Sequence, residues 1–220
     1  MELASEMIDN VIKTGLFNAK WISADSFFGR NKNFLDSVPE GYLYFADVLA
    51  NMKTYRVKDL CDDAEPCPNA VKILDIAADT DITWNRIILA EGAKGPIIAD
   101  EKCVRVYEDR DGLPGKKVWL YIRRYTDGKI KCALSNAPES TPITELRRAA
   151  TMRWPIEQCF EECKDNLGMD HYEGRSWISW HRHMLFVFIA HLFLIEQRLR
   201  LKKTELIVVY AIMILYSYVV

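Results

Sequence analysis

The residues with the clearest chemical potential lie in the run Arg153-Trp154-Pro155-Ile156-Glu157-Gln158-Cys159-Phe160-Glu161-Glu162-Cys163-Lys164. Wound as a helix at about 100° per residue, this run sets Glu157 about 40° around the axis from Arg153, with Lys164 about 20° from Glu157. A carboxylate flanked by two cations on one face suits metal-assisted phosphodiester chemistry. The carboxylate offers hard oxygen ligands to Mg²⁺, and the cations hold phosphates. Pro155 can start the helix and so leave Arg153 just outside it. On periodicity alone, a Glu between basic residues is more commonly a plain solvated face. A second acid, Asp25, ends the short run Ala19-Lys20-Trp21-Ile22-Ser23-Ala24. An Asp at a strand end is more commonly a cap or turn residue than a ligand.

The elements that must position these acids can be read from the apolar spacing. Residues 3–13 carry Leu3, Met7, Ile8, Val11 and Ile12 at helical spacing, with Gly15 as the expected end. Residues 19–48 predict strand, short helix and strand, with Asp25 at the C-terminal end of a central strand and the aromatic-rich 42–48 as the second strand. Residues 50–115 are acidic and rich in Pro and Gly, and predict mostly loop and short strands. Val118 to Tyr125 and Lys129 to Ser135 flank Thr126-Asp127-Gly128, the signal of a hairpin. Helix is expected from Pro142 to Leu167 with a break at Pro155, and again from Ser179 to about Leu201. In the first of these, Ile156, Phe160, Cys163 and Leu167 form an apolar stripe that can face a core.

Half of the 220 residues are hydrophobic, which is enough for one domain with a sizeable core. The net charge of -2 names no partner by itself, but Arg and Lys recur over 116–131, 147–164 and 175–203. A protein that grips DNA needs only one positive face. The six cysteines do not resemble a secreted disulfide framework, and residues 1–14 do not read as a signal peptide, so a reducing cytoplasmic location is expected.

Three motifs in order resemble the DDE transposases of bacterial insertion sequences. Arg153, Glu157 and Lys164 match the last three letters of that family's Tyr-x2-Arg-x3-Glu-x6-Lys signature, although Ala150 stands where the Tyr would fall. Trp21 to Asn31 is similar to the family's second-aspartate segment. Gly168 to Trp177, followed by Trp180-His181-Arg182-His183, resembles a block that follows the Glu. The resemblance spans about residues 15–195. It implies an α/β fold, an incomplete RNase H-like domain with a β-rich insertion (about 50–140) between the second Asp and the Glu-bearing helix. It implies Asp25 and Glu157 as catalytic residues and ligands of Mg²⁺ or Mn²⁺. Arg153, Lys164, Arg175 and Arg182 would bind DNA, and Lys202 is a weaker candidate. The implied reaction is metal-dependent strand cleavage and transfer during DNA transposition.

By this reading residues 1–203 are the C-terminal part of a catalytic domain. The family's first Asp has no counterpart, since Asp9 sits in a helical pattern, and an inactive chain is expected. The alternative is a non-catalytic remnant that binds double-stranded DNA, a second copy or an intact transposase. No small-molecule substrate is expected. Trp177 or Trp180 could stack on a displaced base, but core positions are the commoner role of such residues. A zinc site involving Cys159, Cys163 and one of His181, His183 or His191 is disfavoured, because no Cys-x2-Cys pair exists and Cys163 falls on the apolar stripe. Cys61 and Cys67 are equally weak. The tail, 204–220, is uncharged from residue 206 onward, and that stretch would be about 22 Å long as a helix, short of a bilayer core. It is expected to leave an exposed apolar patch rather than a membrane anchor.

Overall fold

The computed structural model describes residues 2–59, 69–92 and 95–201, and the chain divides into two compact units, Met1–Arg153 and Trp154–Val220. Cys61, Cys67, Lys202 and the tail at 204–220 lie outside the described residues. The first unit runs α1 (Glu2–Lys13), β1 (Trp21–Ala24), α2 (Ser26–Gly29), α3 (Lys32–Asp36), β2 (Leu43–Val48), β3 (Lys53–Arg56), β4 (Val71–Lys72) and α4 (Ile73–Ala78). It continues with β5 (Asn85–Gly92), β6 (Gly95–Arg110), β7 (Leu113–Tyr125), β8 (Ile130–Ser135) and α5 (Ile143–Thr151). The second contains α6 (Trp154–Leu167) and α7 (Trp177–Leu201). The protein is mixed α/β.

One mixed sheet organises the first unit, in the order β1-β2-β8-β7-β6-β3-β4, with β5 on β6. β1 and β2 are parallel, in register Ala24 with Ala46, and the other described pairs are antiparallel. Alternation along the strands sends their apolar residues to two cores. Tyr44, Ala46, Val48, Leu120, Ile122 and Leu134 pack with Phe34, Leu35, Ile73 and Ile76 from the short helices. Phe45, Tyr121 and Ala133 point the other way and meet Leu146 and Ala149 of α5. The sheet is therefore covered on both faces near its middle.

Two sequence expectations need correcting. Asp25 does follow a strand, but β1 is an edge strand of the described sheet, not a central one. Residues 50–115 are not mostly loop: they contain α4, the eight-residue β5 and the sixteen-residue β6. Three of the charges that made this stretch look solvated are internal and compensated. Glu101 and Lys102 are almost fully buried on β6, as is Glu108. Lys102 donates to the carbonyls of Ala77 (2.7 Å) and Asp79 (2.6 Å), closing the end of α4, and burial holds its pKa below the ordinary lysine value. Glu108 accepts from Arg110 and from the backbone of Lys116. The β6–β7 turn is Asp111-Gly112, both at positive φ (52° and 84°), as a two-residue type I′ hairpin requires.

That hairpin is tied to α3 by Asp36, which pairs with Arg110 and Lys116. The hydrogen bond from Arg110, with that from Lys116, outweighs desolvation and holds the Asp36 carboxyl down at about 2, below its ordinary 3.8. A carboxyl depressed on folding stabilises the fold fully above its unfolded pKa and loses that contribution as pH falls through the folded one. Wild type should therefore exceed Asp36→Asn in urea midpoint at pH 6. The gap should shrink below about pH 4 and close near pH 2. An unchanged gap across pH 2–6 would show that Asp36 does not act through its charge.

Candidate functional site

Asp25 acts first as a helix cap. It lies in extended conformation (φ -82°, ψ -179°) just beyond β1, and its Oδ1 accepts from the backbone N–H of Phe27 (2.9 Å) and Phe28 (3.2 Å). The commoner role of a strand-end Asp is thus in place. Among the described residues its second oxygen, Oδ2, accepts no hydrogen bond, so one hard donor remains for a cation. The capped turn is pressed against β2: a Cβ on Gly29 would stand 2.0 Å from the Asp47 carbonyl oxygen. Glycine at this position lets α2 lie directly on the neighbouring strand.

Arg153 does not share a helix face with Glu157. It sits in the turn before α6, outside the helix, as Pro155 near the helix start allows. Its Nη1 donates to Asp47 Oδ2 on β2 at 2.9 Å, and Arg123 also approaches Asp47 at 3.8 Å. Sequence spacing missed Asp47, because nothing local links it to an arginine 106 positions away.

In the second unit Glu157 and Lys164 are both exposed on α6. The apolar stripe of α6 is only partly internal: Cys163 is fully buried, whereas Ile156 and Phe160 are 56% and 42% exposed. Arg175 and Arg182 are exposed, and neither they nor Lys164 make an ion pair among the described residues. Trp177 and Trp180 are not core residues. They are exposed and stack on each other, ring centroids 5.4 Å apart and 10° from parallel. α7 is long and apolar enough to cross a membrane by length and composition.

The most organised polar cluster lies between α6 and α7. Cys159 Sγ is 3.6 Å from His191 Nδ1, and His191 Nε2 is 3.0 Å from Glu162 Oε2. Arg198 donates to both oxygens of Glu162 at 3.1 and 3.0 Å, and Gln158 donates to Oε1 at 3.1 Å. Desolvation opposes the charged carboxylate, but the bonds from His191 and Arg198 prevail and hold Glu162 below the usual glutamate range. Cys163 joins the group from one helical turn onward. His181 and His183 do not: each ring is bonded to a backbone carbonyl, of Trp177 and Gly168 respectively. Sequence reasoning weighed both cysteines and His191 but missed Glu162, whose role appears only when the two helices pack.

No protein-family profile matches the chain, and no curated protein matches it.

Proposed function

We propose that the chain is transposase-derived and acts on double-stranded DNA, with an incomplete RNase H-like domain that carries a β-rich insertion, and with a cytoplasmic location. The order of elements carries the proposal. A parallel strand–helix–strand step has Asp25 just past its first strand, a block of antiparallel strands follows, and then comes a helix bearing Glu157 and Lys164. Together with the three motifs, that order is what the family resemblance calls for. Glu157 is an exposed carboxylate and Asp25 keeps one oxygen unbonded among the described residues, so both suit Mg²⁺ or Mn²⁺ in donor type. When bound, such cations supply Lewis-acid stabilisation of the phosphodiester oxygens.

A second reading, DNA binding without strand cleavage or transfer, is favoured by the roles already occupied. Asp25 caps α2 and Arg153 neutralises Asp47. The resemblance assigns two acidic ligands within these residues, where the family's two-cation clamp uses three. A polypeptide of these 220 residues should therefore bind duplex DNA at low salt yet neither cleave nor join it with Mg²⁺ or Mn²⁺. Neutralising Lys164, Arg175 or Arg182 to Gln should reduce the salt slope of binding by roughly one phosphate contact each. A second copy or an intact transposase is a further expected partner.

Fe²⁺ substituted for Mg²⁺ and treated with peroxide cuts the backbone beside its ligands. Cuts near Asp25 that vanish in Asp25→Asn, and cuts near Glu157 that vanish in Glu157→Gln, are the results that uphold the two assignments. Cuts near neither, or no affinity for DNA, would refute them. Asp25→Asn is the informative variant because Asn still caps α2, whereas Asp25→Ala should cost about 1 kcal/mol in unfolding free energy. Equal stability of the Ala and wild-type proteins would show that the cap contributes nothing.

A further inference from the structure

We infer that Cys159, Cys163 and His191 form a binding site for a thiophilic divalent cation, Zn²⁺ above all, with Glu162 fixing the histidine. The three side chains offer two sulfurs and a ring nitrogen, all within 4.8 Å of one another. Tetrahedral zinc with Zn–S near 2.3 Å and Zn–N near 2.0–2.1 Å demands an S···N separation of about 3.6 Å. Cys159 Sγ and His191 Nδ1 stand 3.6 Å apart. Cys163 and His191 are buried and Cys159 is half-buried, so the donors face one another rather than solvent.

The partner of the opposite ring nitrogen strengthens the assignment. Glu162 accepts at His191 Nε2, which places the imidazole proton there and leaves Nδ1 with a lone pair aimed toward Cys159. A carboxylate on the far nitrogen of a ligating histidine is the usual second layer of such sites. Glu162 is itself held by Arg198 and Gln158, so ring orientation is set before any metal arrives. Two thiols and an imidazole select a soft or borderline cation over Mg²⁺. Binding displaces one proton from each thiol and leaves a fourth coordination position for water or an external ligand. All four residues belong to α6 and α7, and the inference is independent of the DNA reading.

Reduced, metal-free full-length chain should bind one equivalent of Zn²⁺ in competition with a chromophoric chelator. Co²⁺ in its place should give thiolate-to-metal charge transfer and the intense visible bands of a tetrahedral site. Cys159→Ser, Cys163→Ser and His191→Ala should each weaken binding by at least about 100-fold. Glu162→Gln should weaken it by about 10- to 100-fold. Cys61→Ser/Cys67→Ser and Cys103→Ser should leave it unchanged. Should the buried Cys163→Ser variant fail to fold, Zn²⁺ must still protect both Cys159 and Cys163 of the wild type from alkylation, mapped by peptide. Absence of stoichiometric binding, binding that survives Cys159→Ser or His191→Ala, or loss of binding in the Cys61/Cys67 variant would each overturn the proposal. Rapid alkylation of Cys159 that Zn²⁺ does not slow would also overturn it, pointing instead to a nucleophilic cysteine paired with His191.

Discussion

Arg147→Ala should destabilise the Met1–Arg153 unit by about 3 kcal/mol, the low end of what breaking a buried ion pair costs. Glu101 on β6 is almost completely buried, and its two oxygens receive Arg147 Nη2 and Nε, the latter at 3.1 Å, together with the Tyr121 hydroxyl. Removing the guanidinium strands a carboxylate between sheet and α5 with one neutral donor left. The low end applies because Arg147 is itself one-third exposed, so water replaces part of what is lost. For a unit of this size the melting temperature should fall by roughly 6–12 °C. Urea unfolding gives the measurement, and a double variant with Glu101→Gln supplies the control. If the loss comes from an uncompensated charge, the double variant should recover at least half of it. A double variant no more stable than Arg147→Ala would mean that packing of the arginine stem, not its charge, holds α5 to the sheet.

Gly29→Ala should cost a similar amount, about 3 kcal/mol, the upper part of the range for overpacking. The added Cβ would meet a backbone oxygen at 2.0 Å and the Ala46 Cβ at 3.3 Å, and neither can rotate away. Either α2 lifts off β2 or the strand bends, and both outcomes displace the Asp25 cap. Gly128→Ala is the matched comparison. It sits at φ +83° in the β7–β8 turn with open space around it, so it bears backbone strain alone, about 1 kcal/mol. Denaturant unfolding of the two variants separates steric conflict from strain. Equal losses would refute the close approach of α2 to β2.

Local patterning was sufficient wherever an element needs no distant partner. Helical spacing over residues 3–13 corresponds to α1, and the apolar runs ending at Asp25 and Val48 correspond to β1 and β2. Asp127-Gly128 marks the β7–β8 hairpin because φ at Gly128 is a local demand. The same demand is met at Asp111-Gly112, and that hairpin was hidden only because charged residues surround it. Sequence could not show that Glu101 and Lys102 are internal, since their partners lie 20 to 46 positions away, and one partner of the buried Glu108, Lys32, is 76 positions away. A buried charge is tolerable only once those partners arrive, so β6 reads as solvated until the sheet exists.

The candidate sites divide in the same way. From the sequence, a family resemblance put forward Asp25, Glu157 and Lys164, whereas a zinc site on Cys159, Cys163 and a histidine was weighed and disfavoured. Tertiary structure decided that Asp25 caps a helix beside an edge strand and that Arg153 pairs with Asp47. It also chose His191 over His181 and His183 as the partner of the cysteines. Spacing along one helix fixes only which side chains share a face. Which of them find a partner depends on what packs opposite, and for Cys159, Cys163 and Glu162 that is α7.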